Sequence, residues 1–183
     1  MSLFTGKGDN GTTKVFGCNQ RMSKSSSLAE ALGSLDELNS FLGLCKTKME
    51  DPHLVFKKRK LSDILFEVQE NLFIIQAEVA GAPKKIVAGK VNKMENLINS
   101  IEENIPAITS FIIPGEDEIS ALFDVSRTMA RKTERRVVAV SEEVIKVGPQ
   151  TLAYLNRLSS LLYALARLSS HLSGIKERSP SYK

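Results

Sequence analysis

The chain has 183 residues, 42% hydrophobic and 25% charged, with a net charge of +4 and a pI near 9.1. That balance describes an ordinary globule, expected as one domain over residues 1–183 with a sizeable core. Two histidines, His53 and His171, and two cysteines, Cys18 and Cys45, lack metal-ligand spacing, and no apolar run nears the ~18 residues of a membrane span. Without a signal-peptide pattern, the expectation is a cytoplasmic protein with a reduced thiol pair and no membrane partner.

Residues 1–22, rich in Gly, Thr, Asn and Lys, have no helical period and read as a loop with short extended pieces. Helical patterning starts near Ser23, with Ser25, Ser26 or Ser27 as N-cap, and runs through Leu28, Leu32, Leu35, Leu38 and Leu42 to about Met49. Asp51-Pro52 ends it. A second helix is predicted over roughly Leu54 to Ala80, with Leu61, Leu65, Val68, Leu72, Ile75 and Val79 forming a bundle seam. The basic run Lys57-Lys58-Arg59-Lys60 falls at its start, as solvated surface. A third helix covers about Ala88 to Asn104. A fourth runs from about Asp117 to Lys146, after an apolar, strand-like run from Phe111 that turns at Pro114-Gly115. Gly148 breaks the chain, and Pro149 suits the first turn of a fifth helix carrying Leu152, Leu155, Leu158, Leu162, Leu165 and Leu172. Five helices with short connections predict an all-α, up-and-down bundle over residues 23–175.

Residues 127–136 hold five cations (Arg127, Arg131, Lys132, Arg135, Arg136) against Glu134, a charge equal to that of the whole protein. At 100° per residue, Arg127, Arg131, Glu134, Arg135 and Val138 share a stripe. Like charges four apart destabilise a bare helix by a few tenths of a kcal/mol, roughly, so an anionic ligand is implied. The planar guanidinium fork matches phosphate oxygens, although such runs are commonly solvated faces.

Three further constellations carry chemistry. In Thr5-Gly6-Lys7-Gly8-Asp9-Asn10-Gly11-Thr12-Thr13-Lys14 the glycines permit an anion-binding nest, to which Lys7 and Lys14 add charge. No Walker A loop is present. Within Glu30 to Asn39, Gly33 implies close helix packing, and Asp36 suits either a structural ion pair with an arginine or a ligand role. Asn156, in a leucine-rich helix, has donors and acceptors for a nucleotide's sugar or base.

These segments, with Lys24, Phe111 to Gly115, Arg127 to Arg135 and Tyr154 to Ser159, resemble in order and spacing the corrinoid (cob(I)alamin) adenosyltransferases of the propanediol-utilisation (PduO) type. The resemblance implies transfer of the 5′-deoxyadenosyl group of ATP, with Mg²⁺, to a cob(I)alamin or related corrinoid. It implies that Thr5, Gly6, Lys7, Gly8, Thr13, Lys14, Lys24, Arg131, Glu134, Arg135 and Asn156 bind ATP. Arg131 and Glu134 would serve the reaction, and Phe111 would face the corrin. It further implies a homotrimer with sites between subunits, Asp36 and Arg127 paired across the interface, and a reductase and an adenosylcobalamin-using enzyme as partners. Eleven Phe and Tyr residues, mostly at core spacing, and no Trp argue against a nucleic-acid partner. Departures from the family pattern fall at Phe4, Gly6, Lys7, Glu116, Lys132 and Ser160. The competing reading is a non-catalytic ATP-sensing or corrinoid-escort bundle.

Overall fold

The computed structural model describes residues 3–15, 20–49 and 53–183. Five helices carry the fold: α1 (Ser27–Thr47), α2 (Leu61–Val79), α3 (Ala88–Glu102), α4 (Glu118–Glu143) and α5 (Pro149–Leu172). Two antiparallel hairpins flank α1, one pairing β1 (Thr12–Lys14) with β2 (Arg21–Ser23), the other β3 (Val55–Phe56) with β4 (Arg59–Lys60). The expected all-α bundle is what forms. Cys18 and Asp51-Pro52 lie outside the described residues.

Sequence chemistry explains the helix ends. The Ser26 hydroxyl accepts from the Ala29 amide and starts α1. Asp117 and Ser120 cap each other's backbone at the start of α4, a reciprocal capping box. Pro149 opens α5, where its missing N–H leaves no unmet donor. The Gly148 amide donates to Glu78 Oε1 at 2.8 Å and the Thr151 hydroxyl to Glu78 Oε2, so a buried carboxylate from α2 caps α5. α4 ends at Glu143, short of the expected Lys146, because the backbone at Val144 turns out of the helical region.

The helices run alternately up and down. Thr133 and Ser126 of α4 meet Ser34 and Cys45 of α1, an antiparallel pairing. Glu134 and Asp117 of α4 meet Asn156 and Ser170 of α5 in the same sense. α3 lies parallel to α5, with Glu95 beside Arg157 and Pro106 beside Arg167. The connection 103–117 therefore crosses the C-terminal end of α5 to reach α4. The predicted seam of α2 is buried at every position, against Leu35, Leu38 and Leu42 of α1 and Leu155, Leu158 and Leu162 of α5 in one core. Burying each such side chain contributes ~1.5–3 kcal/mol.

Two expectations are corrected. Residues 54–60 are a hairpin, and Lys57-Lys58-Arg59-Lys60 does not begin a helix. Lys57 and Lys58 take left-handed conformations (φ 47° and 66°) at its two-residue turn, the geometry that matches strand twist. Helix propensity yields here to the burial of Leu54 and Phe56 on the core. Gly33 serves no close packing inside the chain, since a Cβ there would meet nothing within 4 Å.

Candidate active site

The fold sorts the cations of α4 by whether a carboxylate answers them. Arg127 Nε lies 2.9 Å from Asp124 Oδ1, and its guanidinium sits 5.9 Å from the Tyr163 ring centre. Lys132 pairs with Glu37 at 3.1 Å. Arg136 pairs with Glu30 at 2.9 Å and donates to the Ser34 hydroxyl. Arg131 and Arg135 are exposed, and among the described residues no carboxylate lies within 4 Å of either. They are the two guanidinium groups of the ridge left available to an external anion.

Both line a pocket of about 310 Å³ with Glu134, Val138 and Asn156. Asn156 Nδ2 donates to Glu134 Oε1 at 2.9 Å, while its carbonyl accepts from Arg157 at 2.8 Å. Arg157 is itself held by Glu95 at 3.0 Å. The chain Glu95, Arg157, Asn156, Glu134 thus fixes the single carboxylate lining that pocket. Asn156 was expected to bind the nucleotide; it lines this pocket, with its amide donating to Glu134 on one side and accepting from Arg157 on the other.

Next to it lies a groove of about 670 Å³, lined by Ile108, Ser110, Phe111, Ile112, Arg127, Arg131, Ser159, Ser160 and Tyr163. Its rim is apolar and open: Phe111 is 78% exposed and Ile108 51%. The strand-like run from Phe111 pairs as no strand, although the Ile113 amide donates to the Arg178 carbonyl at 2.8 Å. Gly115, at φ 99°, supplies the turn after Pro114. Burial raises the Tyr163 phenol above its ordinary pKa, against the lowering effect of Arg167. Tyr163 therefore stays a neutral hydroxyl in the groove wall. Arg131 belongs to both cavities.

The amino-terminal residues sit elsewhere. Gly6 and Gly11 have left-handed backbones, and the amides of Asp9 and Gly11 are spent on turns to the Gly6 and Gly8 carbonyls. A Cβ at Gly8 would come within 3.2 Å of Lys24 Nζ and 3.3 Å of the Thr12 carbonyl, so Lys24 packs on this loop. Thr5, Gly6, Lys7, Gly8, Thr13, Lys14 and Lys24 line neither cavity. Within one chain the two sets of expected ATP ligands share neither of these cavities. Asp36 is exposed and does not meet Arg127, which turns to Asp124 instead.

Ile108, Ile112 and Tyr163 escaped the sequence reading. For Tyr163 a signal existed, because it stands seven residues after Asn156 and hence on the same helix face. The isoleucines carried none, since burial periodicity is lost in an irregular connection.

Residues 3–169 match the family model described as cobalamin adenosyltransferase. The chain belongs to this family. A corrinoid adenosyltransferase PduO from Citrobacter freundii is 39% identical over 178 residues, 93% of this chain and 50% of that relative. The chain thus spans about half the length of that cobalamin adenosyltransferase relative. A corrinoid adenosyltransferase from Bacillus subtilis (strain 168) is 35% identical over 182 residues, 96% of this chain and 90% of that one. A solved phenylalanine-to-alanine variant of the PduO-type ATP:corrinoid adenosyltransferase from Lactobacillus reuteri, complexed with cobalamin and ATP, superposes with a TM-score of 0.89. Its identity is 27%, covering 98% of this chain and 99% of that one.

Proposed function

We propose that this chain transfers the 5′-deoxyadenosyl group of ATP to the cobalt(I) of cobalamin or a related corrinoid, releasing triphosphate. The observation that carries this reading is Arg131, common to a polyphosphate-sized cationic pocket and to an open groove with an apolar rim. In the reaction the cobalt(I) lone pair forms a bond to C5′, and the C5′–O bond breaks with its electrons passing to triphosphate. No proton is abstracted, so no general base is required. Arg131, Arg135 and Lys24 stabilise the departing anion as preorganised charges. Glu134, held by the Asn156 amide, lines the same pocket without pairing to Arg131 or Arg135 and is not required as a base. Holding the reactants in line is worth up to ~7–11 kcal/mol. Mg²⁺ would enter on the phosphates, and Glu134, the carboxylate lining that pocket, would be available to it. Phe111 would lie against the corrin, excluding the lower axial ligand and so easing reduction of cobalt.

The reading includes a homotrimer whose sites lie between chains, each combining the amino-terminal loop of one chain with the α4 ridge of the next. Its support is that the amino-terminal residues line neither α4 cavity of their own chain, together with an exposed Asp36 that pairs with nothing among the described residues and the open surface over Gly33. Arg127 would then leave Asp124 for Asp36 of the neighbour. Residues 1–22 serve as the nucleotide loop of one domain whose bundle is residues 23–175. A cytoplasmic location, an electron-donating reductase and an adenosylcobalamin-using enzyme complete the proposal. No helix among the described residues is long and apolar enough to cross a membrane.

Incubation with ATP, Mg²⁺ and chemically reduced cobalamin tests it. The absorbance should move to that of adenosylcobalamin, with triphosphate formed in equal amount. ATP binding without any spectral conversion would leave an escort or sensor instead.

A further inference from the structure

The connection 103–117 carries Phe111 yet contains no helix or strand of its own. Residues beyond α5 hold it. The Ile113 amide donates to the Arg178 carbonyl at 2.8 Å, and the Ser110 and Ser179 hydroxyls meet at 2.6 Å. Arg178 Nε reaches both oxygens of Glu116, at 2.8 and 3.0 Å. Beneath this, Arg167 of α5 is 6% exposed and grips Glu177 through Nε and Nη2, the shorter contact being 2.8 Å. Its Nη2 also donates to the Pro106 carbonyl at 2.9 Å. The ties fall on both sides of Phe111, whose own side chain stays exposed.

A buried ion pair adds little net stability over an apolar replacement, but losing one partner strands a charge, so its gain is one defined arrangement. Here the arrangement defined is that of two irregular segments against each other. Glu116 belongs to the same set. It is one of the positions where the chain departs from the family pattern, and in this chain it is the carboxylate that answers Arg178.

We propose that Arg167 and Glu177 are positioning residues for the corrinoid half of the site, fixing the segment 177–179 as a strap that sets the Phe111 loop. The inference rests on the reading of Phe111 as the corrin-facing residue. Disorder of the strap would move Phe111 and Ile112 out of the groove wall without touching Arg135, Asn156 or the amino-terminal loop. The cost would then appear in corrinoid use and not in ATP binding.

The test uses the full chain with Glu177→Ala, Glu177→Gln and Arg178→Ala and leaves the buried Arg167 in place. Amide hydrogen exchange over residues 110–113 reads the strap directly. Glu177→Ala should speed that exchange and raise the corrinoid KM about tenfold, with the ATP Kd changed less than about twofold. Glu177→Gln, keeping one acceptor oxygen, should fall between. Unchanged exchange would overturn the strap, and faster exchange with an unaltered corrinoid KM would overturn its positioning role. Parallel losses for ATP and corrinoid would reduce Glu177 to a stability residue and equally overturn it. If the unaltered protein transfers nothing, the proposed activity fails by itself, and corrinoid titration followed by absorbance replaces KM as the readout.

Discussion

Asn156 Nδ2 and Glu134 Oε1 stand 2.9 Å apart across the seam of α4 and α5, and Arg157 takes the other end of the same amide. The only orientation of that amide compatible with both neighbours sends its nitrogen to the carboxylate. Replacing Asn156 with alanine frees Glu134 to swing toward Arg131 or Arg135 and neutralise the cations meant for triphosphate. Loss of a hydrogen bond to a charged group predicts a fall of about 10–100-fold in kcat/KM. Steady-state kinetics would check it, and a change below about threefold would place Asn156 outside the reaction.

Arg131 and Arg136 should separate activity from stability. Arg131→Ala removes a guanidinium with no carboxylate partner among the described residues, so its melting temperature should hold while transfer drops by about 10²–10³. Arg136→Ala breaks contacts to Glu30 and Ser34 and should lower stability by up to ~1 kcal/mol with little kinetic effect. Calorimetry and kinetics on the pair would expose the opposite pattern.

Glu78 is 6% exposed and accepts from the Gly148 amide and the Thr151 hydroxyl. Glu78→Ala strands two donors at the start of α5, costing ~2–4 kcal/mol. Urea unfolding should show that loss as a shifted midpoint at constant slope.

Stability should depend on acid through Glu67. Burial opposes its ionisation, but hydrogen bonds from Lys93 and Arg59 outweigh that and hold the carboxyl below its ordinary value of 4.5. A lowered folded-state pKa contributes stability above the unfolded value and loses it as pH falls through the folded one. The melting-temperature advantage over Glu67→Gln should therefore be full near pH 6 and fade below about pH 4.5. An advantage that grew on acidification would refute the assignment.

At the β3–β4 turn, Lys58 holds φ 66°, a conformation that costs a residue with a Cβ ~1 kcal/mol. Lys58→Gly should stabilise the protein by ~0.5 kcal/mol after the entropy of glycine is subtracted. Lys57 should be left in place, because it donates to Ser100.

The helices were legible because their signals are local. Leu61 to Val79 repeats at bundle spacing, serines stand at the start of α1, and Pro149 follows a glycine. The β3–β4 hairpin was not, because Lys57-Lys58 carries none of the Asn-Gly chemistry that announces such a turn, and only burial of Leu54 and Phe56 against distant helices selects it. The ridge of Arg127 to Arg136 could be counted from sequence as a single block of positive charge. Its division into answered and unanswered cations depended on where Glu30, Glu37 and Asp124 arrived. Composition and periodicity settle which helices form, since backbone preferences and apolar spacing act within a few residues. Which side chains share a cavity, which charges cancel, and how Arg167 reaches Pro106 and Glu177 are decided by packing, because those contacts join residues that sequence order keeps far apart.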